Sequence, residues 1–231
     1  MHARTRNMIQ QEELSRMNAK ADEERFVVVS PQALGDPPTW WGPIPGEVGQ
    51  SDLDFFRKML AYLQQQISID PDRIYATGLS NGGTMAYRLG CDMSDVFAAI
   101  APVAGGHVAH HLCQPEDPVS VLVIHGTADA TIPFEVQPNV SPAVETWLEA
   151  WAEHNGCDPT PSVSKSFVAT TEKTWSHCNG DVVVTLEIIQ GGGHVWPDSD
   201  LGTHLAEYPS DLDATDLIWS FFKAHPKSPA H

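Results

Sequence analysis

The chain is short of positive charge: 13 Lys and Arg stand against 30 Asp and Glu, for a formal charge of −17. Such a surface repels phosphate backbones and anionic lipids, which argues against nucleic acid and membrane surfaces as partners. Long apolar runs are lacking too. No window reaches the roughly 18 apolar residues of a membrane-spanning helix, and residues 1–20 (MHARTRNMIQQEELSRMNAK) have no apolar stretch of the kind an export signal carries. Cysteine is sparse and shows no Cys-x-x-Cys spacing, so neither zinc nor a redox dithiol is indicated, and no metal or organic cofactor is implied. The four cysteines, Cys91, Cys113, Cys157 and Cys178, are either buried thiols or two disulfides. Four cysteines allow three pairings, of which closure over short loops favours Cys91 with Cys113 and Cys157 with Cys178. Disulfides would put the working protein outside the reducing cytosol.

What is present is enough apolar material for one core: 231 residues, 42% of them hydrophobic, fit a single domain spanning 1–231. Met8, Ile9, Leu14, Met17 and Ala21 recur at helical spacing over 8–22, ahead of a run, Phe26-Val27-Val28-Val29, that reads as a buried strand. Residues 31–50 are rich in Pro and Gly and predict a long ordered loop, with Trp40-Trp41 at its tip. Ser51, with Asp54 three positions on, predicts a helix start, and Leu53, Phe56, Met59, Leu60 and Leu63 supply its core face as far as Ile67. Strands are then predicted over 73–78, 97–103, 119–124 and 182–189, and helices from Gly82, over 144–154 and over 212–224. The alternation predicts an α/β fold: a mostly parallel sheet with helices on both faces.

Gly78-Leu79-Ser80-Asn81-Gly82, followed by Gly83, stands where the strand carrying Ile74, Tyr75 and Thr77 gives way to the helix carrying Met85, Ala86 and Leu89. A nucleophile on so sharp a turn needs small residues two positions to either side, and Gly78 and Gly82 provide them. The turn sets Ser80 at a helix N-terminus, where the Asn81 N–H can hold an oxyanion. A glycine-rich turn that merely lets a helix cross a strand closely is the structural alternative.

A serine hydroxyl is barely ionised at neutral pH, so it needs a base and the base an orienting carboxylate. Asp129 follows the strand ending in Ile124, and His194 follows the strand ending in Ile189, which places both on the same sheet rim as Ser80. The order Ser, Asp, His is that of α/β-hydrolases. Among eleven histidines His125 is the rival base, disfavoured because it sits deeper, inside a strand end. Asp198 and Asp200 are rivals to Asp129, too near His194 in sequence to arrive from a separate strand.

IDPDRIYATGLSNGGTMAYRL, FAAIAPVAG, HGTADATIPF and GGGHVWP together resemble the secreted polyhydroxybutyrate-depolymerase-like and feruloyl or acetylxylan esterases, over nearly the whole chain. The resemblance implies an α/β-hydrolase with Ser80, Asp129 and His194 as triad, an exported (secreted or periplasmic) protein, and a Cys157–Cys178 disulfide. It implies a substrate that is a feruloyl or acetyl ester of plant polysaccharide, a short-chain aryl ester or a hydroxyalkanoate ester. Trp40, Trp41 and Trp196 resemble family aromatics at the acyl or sugar end of the site, with ordinary packing as the alternative for each.

The front departs from that family. Met1-His2-Ala3-Arg4 lies where family members have the His-Gly that follows their first strands, so Arg4 is the candidate for the second oxyanion N–H and the strands before it are missing. In the family's strand order this loss separates 26–30 from 73–78, leaving two rows of backbone groups without a partner. The two segments close up, or a partner chain fills the place, or the chain is a fragment. The expectation is that a homodimer or a rearranged edge compensates. Two other functions share these features: a serine peptidase of prolyl-oligopeptidase type and a hydrolase-like binding module without chemistry.

Overall fold

The computed structural model describes residues 1–40, 47–106, 113–135, 143–197 and 210–227. In chain order these form α1 (Met8–Ser15), α2 (Met17–Glu24), α3 (Glu47–Gln66), β1 (Tyr75–Leu79), α4 (Asn81–Asp92), β2 (Ala99–Val103), β3 (Ser120–Gly126), α5 (Val144–His154), β4 (Ser162–Ser164), β5 (Thr170–Trp175), β6 (Val184–Ile189) and α6 (Ala214–Ala224). One sheet runs in the order β1-β2-β3-β6-β5-β4. The first four strands are parallel, while β5 runs antiparallel to β6, and β4 antiparallel to β5.

The sequence pattern explains the layering. β2 and β3 are buried at every residue, as continuous apolar runs at the centre of a two-faced sheet must be. On one face Leu53 and Phe56 of α3, Met85, Tyr87 and Leu89 of α4, and Trp147, Leu148 and Trp151 of α5 pack on Ile100, Val121, Val123, Val184 and Leu186. On the other, Leu14, Met17 and the α6 residues Ile218, Phe221 and Phe222 cover Ala99, Ala101, Leu122 and Ile124. The expected α/β sheet with helices on both faces is thus observed, and disulfides Cys91–Cys113 and Cys157–Cys178 tie it together.

Four local expectations are corrected. The helix foreseen over 8–22 is two helices, because Arg16 adopts φ 50° and turns the chain between them. α3 starts at Glu47, so Ser51 lies within it rather than at its cap. The antiparallel β4 and β5 were not foreseen: SVS and TTEKTW are polar and their strands lie at the sheet margin. Residues 26–30 are extended but belong to no strand of the described sheet, and Val27 and Val29 are 63% and 43% exposed. Each of these two valines forgoes much of the about 1.5 kcal/mol or more that full burial gives.

Nor do 26–30 and β1 close up. A groove of about 600 Å³ separates them, walled by Phe26 to Pro31 on one side and Arg73 to Thr77 on the other. Met1 stands at the groove's end. Its amine donates to the Thr77 carbonyl at 2.7 Å and its carbonyl accepts from the Leu79 N–H at 3.3 Å, the two bonds of a parallel bridge to Gly78.

Candidate active site

The rim at the C-terminal ends of the parallel strands carries the three residues singled out by sequence. Ser80 joins β1 to α4 at φ 56° and ψ −119°, a backbone conformation that an L-residue holds only under constraint. Two contacts impose it. The Ser80 N–H donates to the Val103 carbonyl at 2.9 Å, and the flanking glycines leave no room for a side chain. A Cβ on Gly78 would come within 2.6 Å of the Gly82 and Met1 backbones, and one on Gly82 within 2.2 Å of the Met1 carbonyl oxygen. The spacing therefore has the steric reason expected of it, with the front of the chain supplying part of the crowd.

Asp129 and His194 are brought together by two loops stitched to each other. The N–H groups of Thr127 and Ala128, past β3, donate to the carbonyls of Ile189 and Gly192 at 3.0 and 2.9 Å, and the Thr127 hydroxyl accepts from the Gly191 N–H at 2.9 Å. Gly126 is required because a Cβ there would lie 2.1 Å from the Gly192 carbonyl oxygen. The outcome is a hydrogen bond from His194 Nδ1 to Asp129 Oδ2 at 2.7 Å, with the aspartate side chain fully buried and the imidazole one-fifth exposed. With Nδ1–H so engaged, Nε2 is the nitrogen that can take a proton from a hydroxyl.

Asp129 Oδ1 accepts the N–H groups of Thr131 and Ile132, each at 2.8 Å. Burial alone would raise this carboxyl. Hydrogen bonds from His125, His194 and the Ile132 N–H outweigh it and hold the group far below the usual carboxylate range. The backbone donors were not foreseen; their signal in the sequence is the Asp-x-Thr-Ile that lets an aspartate cap its own turn. Ser80 stays half-exposed and makes no hydrogen bond to His194 among the described residues, a bond that in unliganded sites often tightens only with substrate.

The remaining candidates are placed as follows. Asn81 opens α4, and its side chain exchanges hydrogen bonds with the Trp40 backbone at 2.7 and 2.9 Å. Arg4 lies on an exposed turn beside Ala3 and His2. Trp40 and Trp196 are core side chains, 2% and 1% exposed. Their indole N–H groups are spent on the His2 carbonyl and the Thr215 hydroxyl, so packing is their observed role. Trp41, Asp198 and Asp200 lie outside the described residues. His125 is fully buried, with its Nε2 3.4 Å from Asp129 Oδ2. Among the described residues no cluster of three or more His, Cys, Asp or Glu could hold a metal ion.

The family described as "Prolyl oligopeptidase family" matches residues 23–112. A Nocardia uniformis subsp. tsuyamanensis protein bearing an esterase name, NocK, is 29% identical over 94% of this chain and 68% of its own length. Feruloyl esterase B of Piromyces equi is 30% identical over 70% of this chain and 32% of its own. Poly(3-hydroxyalkanoate) depolymerase C of Paucimonas lemoignei is 27% identical over 80% of this chain and 51% of its own. The chain thus spans about two thirds of the first of these relatives, a third of the second and half of the third. Among solved structures, the acetyl xylan esterase from Aspergillus awamori superposes with a TM-score of 0.67 at 14% identity, over 90% of this chain and 85% of that one. The chain has the α/β-hydrolase fold, and the resemblance to feruloyl esterases, acetylxylan esterases and polyhydroxyalkanoate depolymerases implied by its motifs is matched by the relatives it retrieves.

Proposed function

We propose that the chain is a serine carboxylic-ester hydrolase with Ser80 as nucleophile, His194 as general base and Asp129 as its orienting carboxylate. The observation that carries this is the 2.7 Å bond from His194 to a buried, ionised Asp129, on the same rim as a serine held at φ 56°. Ser80 Oγ attacks the ester carbonyl while His194 Nε2 takes its proton. The oxyanion is met by the N–H of Asn81, and by that of Arg4. The proton then passes to the leaving alcohol, and water repeats the sequence on the acyl-enzyme.

The substrate class is a feruloyl or acetyl ester of plant polysaccharide, a short-chain aryl ester or a hydroxyalkanoate ester, in line with the names of the relatives. The match to the prolyl oligopeptidase family supports a second reading, a serine peptidase. A panel of methyl ferulate, p-nitrophenyl acetate and butyrate, acetylated xylan and a chromogenic prolyl peptide separates the two. Ester turnover with an inert peptide is expected; the reverse would transfer the triad to peptide chemistry.

The same proposal takes residues 1–231 as one domain. It also places the protein outside the cytosol, secreted or periplasmic, which its two disulfides support. A second copy is the partner proposed to cover the groove between 26–30 and β1, which Phe26, Val27, Val28, Val29, Ile74 and Tyr75 line together with charged residues such as Arg73 and Lys223. Sedimentation at rising concentration tests it: a dimer lost on Val27→Lys is expected, and a monomer at every concentration would remove the second copy from the account.

A further inference from the structure

Oδ2 of Asp129 is shared. His194 Nδ1 lies 2.7 Å from it, and Nε2 of His125 stands 3.4 Å away on the same oxygen. That Nε2 is also 2.8 Å from the Ile132 carbonyl. A carbonyl only accepts, so Nε2 carries the proton and divides it between Ile132 and the carboxylate. His125 is the penultimate residue of β3, its side chain is fully buried, and its ring meets Phe134 edge to face at 6.0 Å. One imidazole on a rigid strand therefore grips the turn 129–134 at the carboxylate, at the Ile132 carbonyl and at Phe134.

A carboxylate can rotate about its last bond, and only near one orientation of its plane does one of its two equivalent oxygens face His194. The two backbone donors hold Oδ1 but belong to the same turn as the aspartate, so they move with it. His125 is the donor anchored in the sheet. We infer that His125 is a positioning residue of the triad: its Nε2–H fixes the turn and the rotation of Asp129 that present Oδ2 to His194. The inference rests on the serine-hydrolase reading for its catalytic consequence and on geometry alone for its structural one.

Two variants test it, His125→Leu, which has no donor, and His125→Gln, whose amide N–H reaches the position of Nε2. The first readout is the low-field proton signal of His194 Nδ1–H, recorded by NMR with no substrate present. The second is kcat and KM on p-nitrophenyl butyrate. His125→Leu is expected to shift and broaden the signal and to lower kcat on the order of 10- to 100-fold, by analogy with the loss of outer-shell partners that orient metal-binding groups. KM should stay unchanged, and His125→Gln should restore both readouts. A His125→Leu protein that keeps the signal and kcat overturns the inference. If His125→Leu does not fold, the Gln variant decides: a folded His125→Gln protein without the signal also overturns it. A wild-type signal without ester turnover would count against the hydrolase reading while leaving His125 to be judged on the signal.

Discussion

Two buried carboxyls on neighbouring parts of the sheet are held in opposite states. Asp129, just past β3, meets two backbone N–H groups and two imidazoles, and stays ionised far below the usual range. Glu187, in β6 and 1% exposed, meets one donor among the described residues, the Ser166 hydroxyl at 2.6 Å. Glu172 of β5 sits directly opposite it. Burial, with that acidic neighbour, pushes Glu187 up to about 7. Burial is common to both, so what separates them is the number and sign of the groups around each. The rim gathers its donors around Asp129 and keeps it charged, and the β5–β6 contact tolerates a carboxyl that is a neutral acid below about pH 7.

Substitutions that equalise the two sites sharpen this contrast. The largest effect is expected from Asp129→Asn, which keeps the shape but removes the charge and the acceptor preference that fix the His194 tautomer. kcat should fall by roughly 10⁴-fold, as in triads where that exchange leaves geometry intact. Steady-state kinetics on an aryl ester checks it. The acid side of stability should change as well. A depressed carboxyl contributes stability above its unfolded pKa that is lost as pH falls through its folded one, so Asp129→Asn should flatten the acid limb of a thermal-stability profile.

Glu187→Gln is expected to act in the opposite sense. A carboxyl raised from 4.5 to about 7 supports folding below pH 4.5, and that support is lost as pH rises through 7. Replacing it by an amide should leave stability at pH 5 little changed and raise it at pH 8.5 by up to about 3 kcal/mol, from the size of the shift. Urea melts at the two pH values measure the difference; equal effects at both would mean the pair does not titrate as described. Smaller again is Ser166→Ala, which removes the one donor to Glu187. A loss of about 1 to 2 kcal/mol is expected, greater at pH 8.5 than at pH 5 because the ionised carboxylate needs that donor more.

The contrast also shows how far sequence carries. Ser80, Asp129 and His194 were legible because each follows an apolar run and is set off by glycine, so strand ends and rim positions can be read from composition. The buried strands β2 and β3 and the helix α5 were legible for the same reason, through runs and helical spacing in the residues themselves. Residues 26–29 have the composition of a buried strand, but pairing depends on a neighbour, and the lane beside β1 holds only Met1 among the described residues. Trp40 and Trp196 could line a site or a core with the same side chain; what decided was a carbonyl and a hydroxyl waiting for their N–H groups, from residues 38 and 19 positions away. β5 was missed because TTEKTW alternates polar groups whose burial comes from β6, not from its own pattern. His125 was read as a rival base because a strand-end histidine has the right address. Its place inside the strand end already argued for depth; the Ile132 carbonyl that claims its proton appears only in three dimensions.

The central claim is that this rim performs acyl transfer through Ser80. Hydrolysis of p-nitrophenyl acetate by the purified chain and by Ser80→Ala, with intact mass after treatment with a serine-reactive phosphonate, tests it most directly. The account predicts turnover and a single adduct in the wild-type chain, both lost in the variant. Turnover or labelling that survives in Ser80→Ala, or neither in the folded wild-type chain, would contradict it.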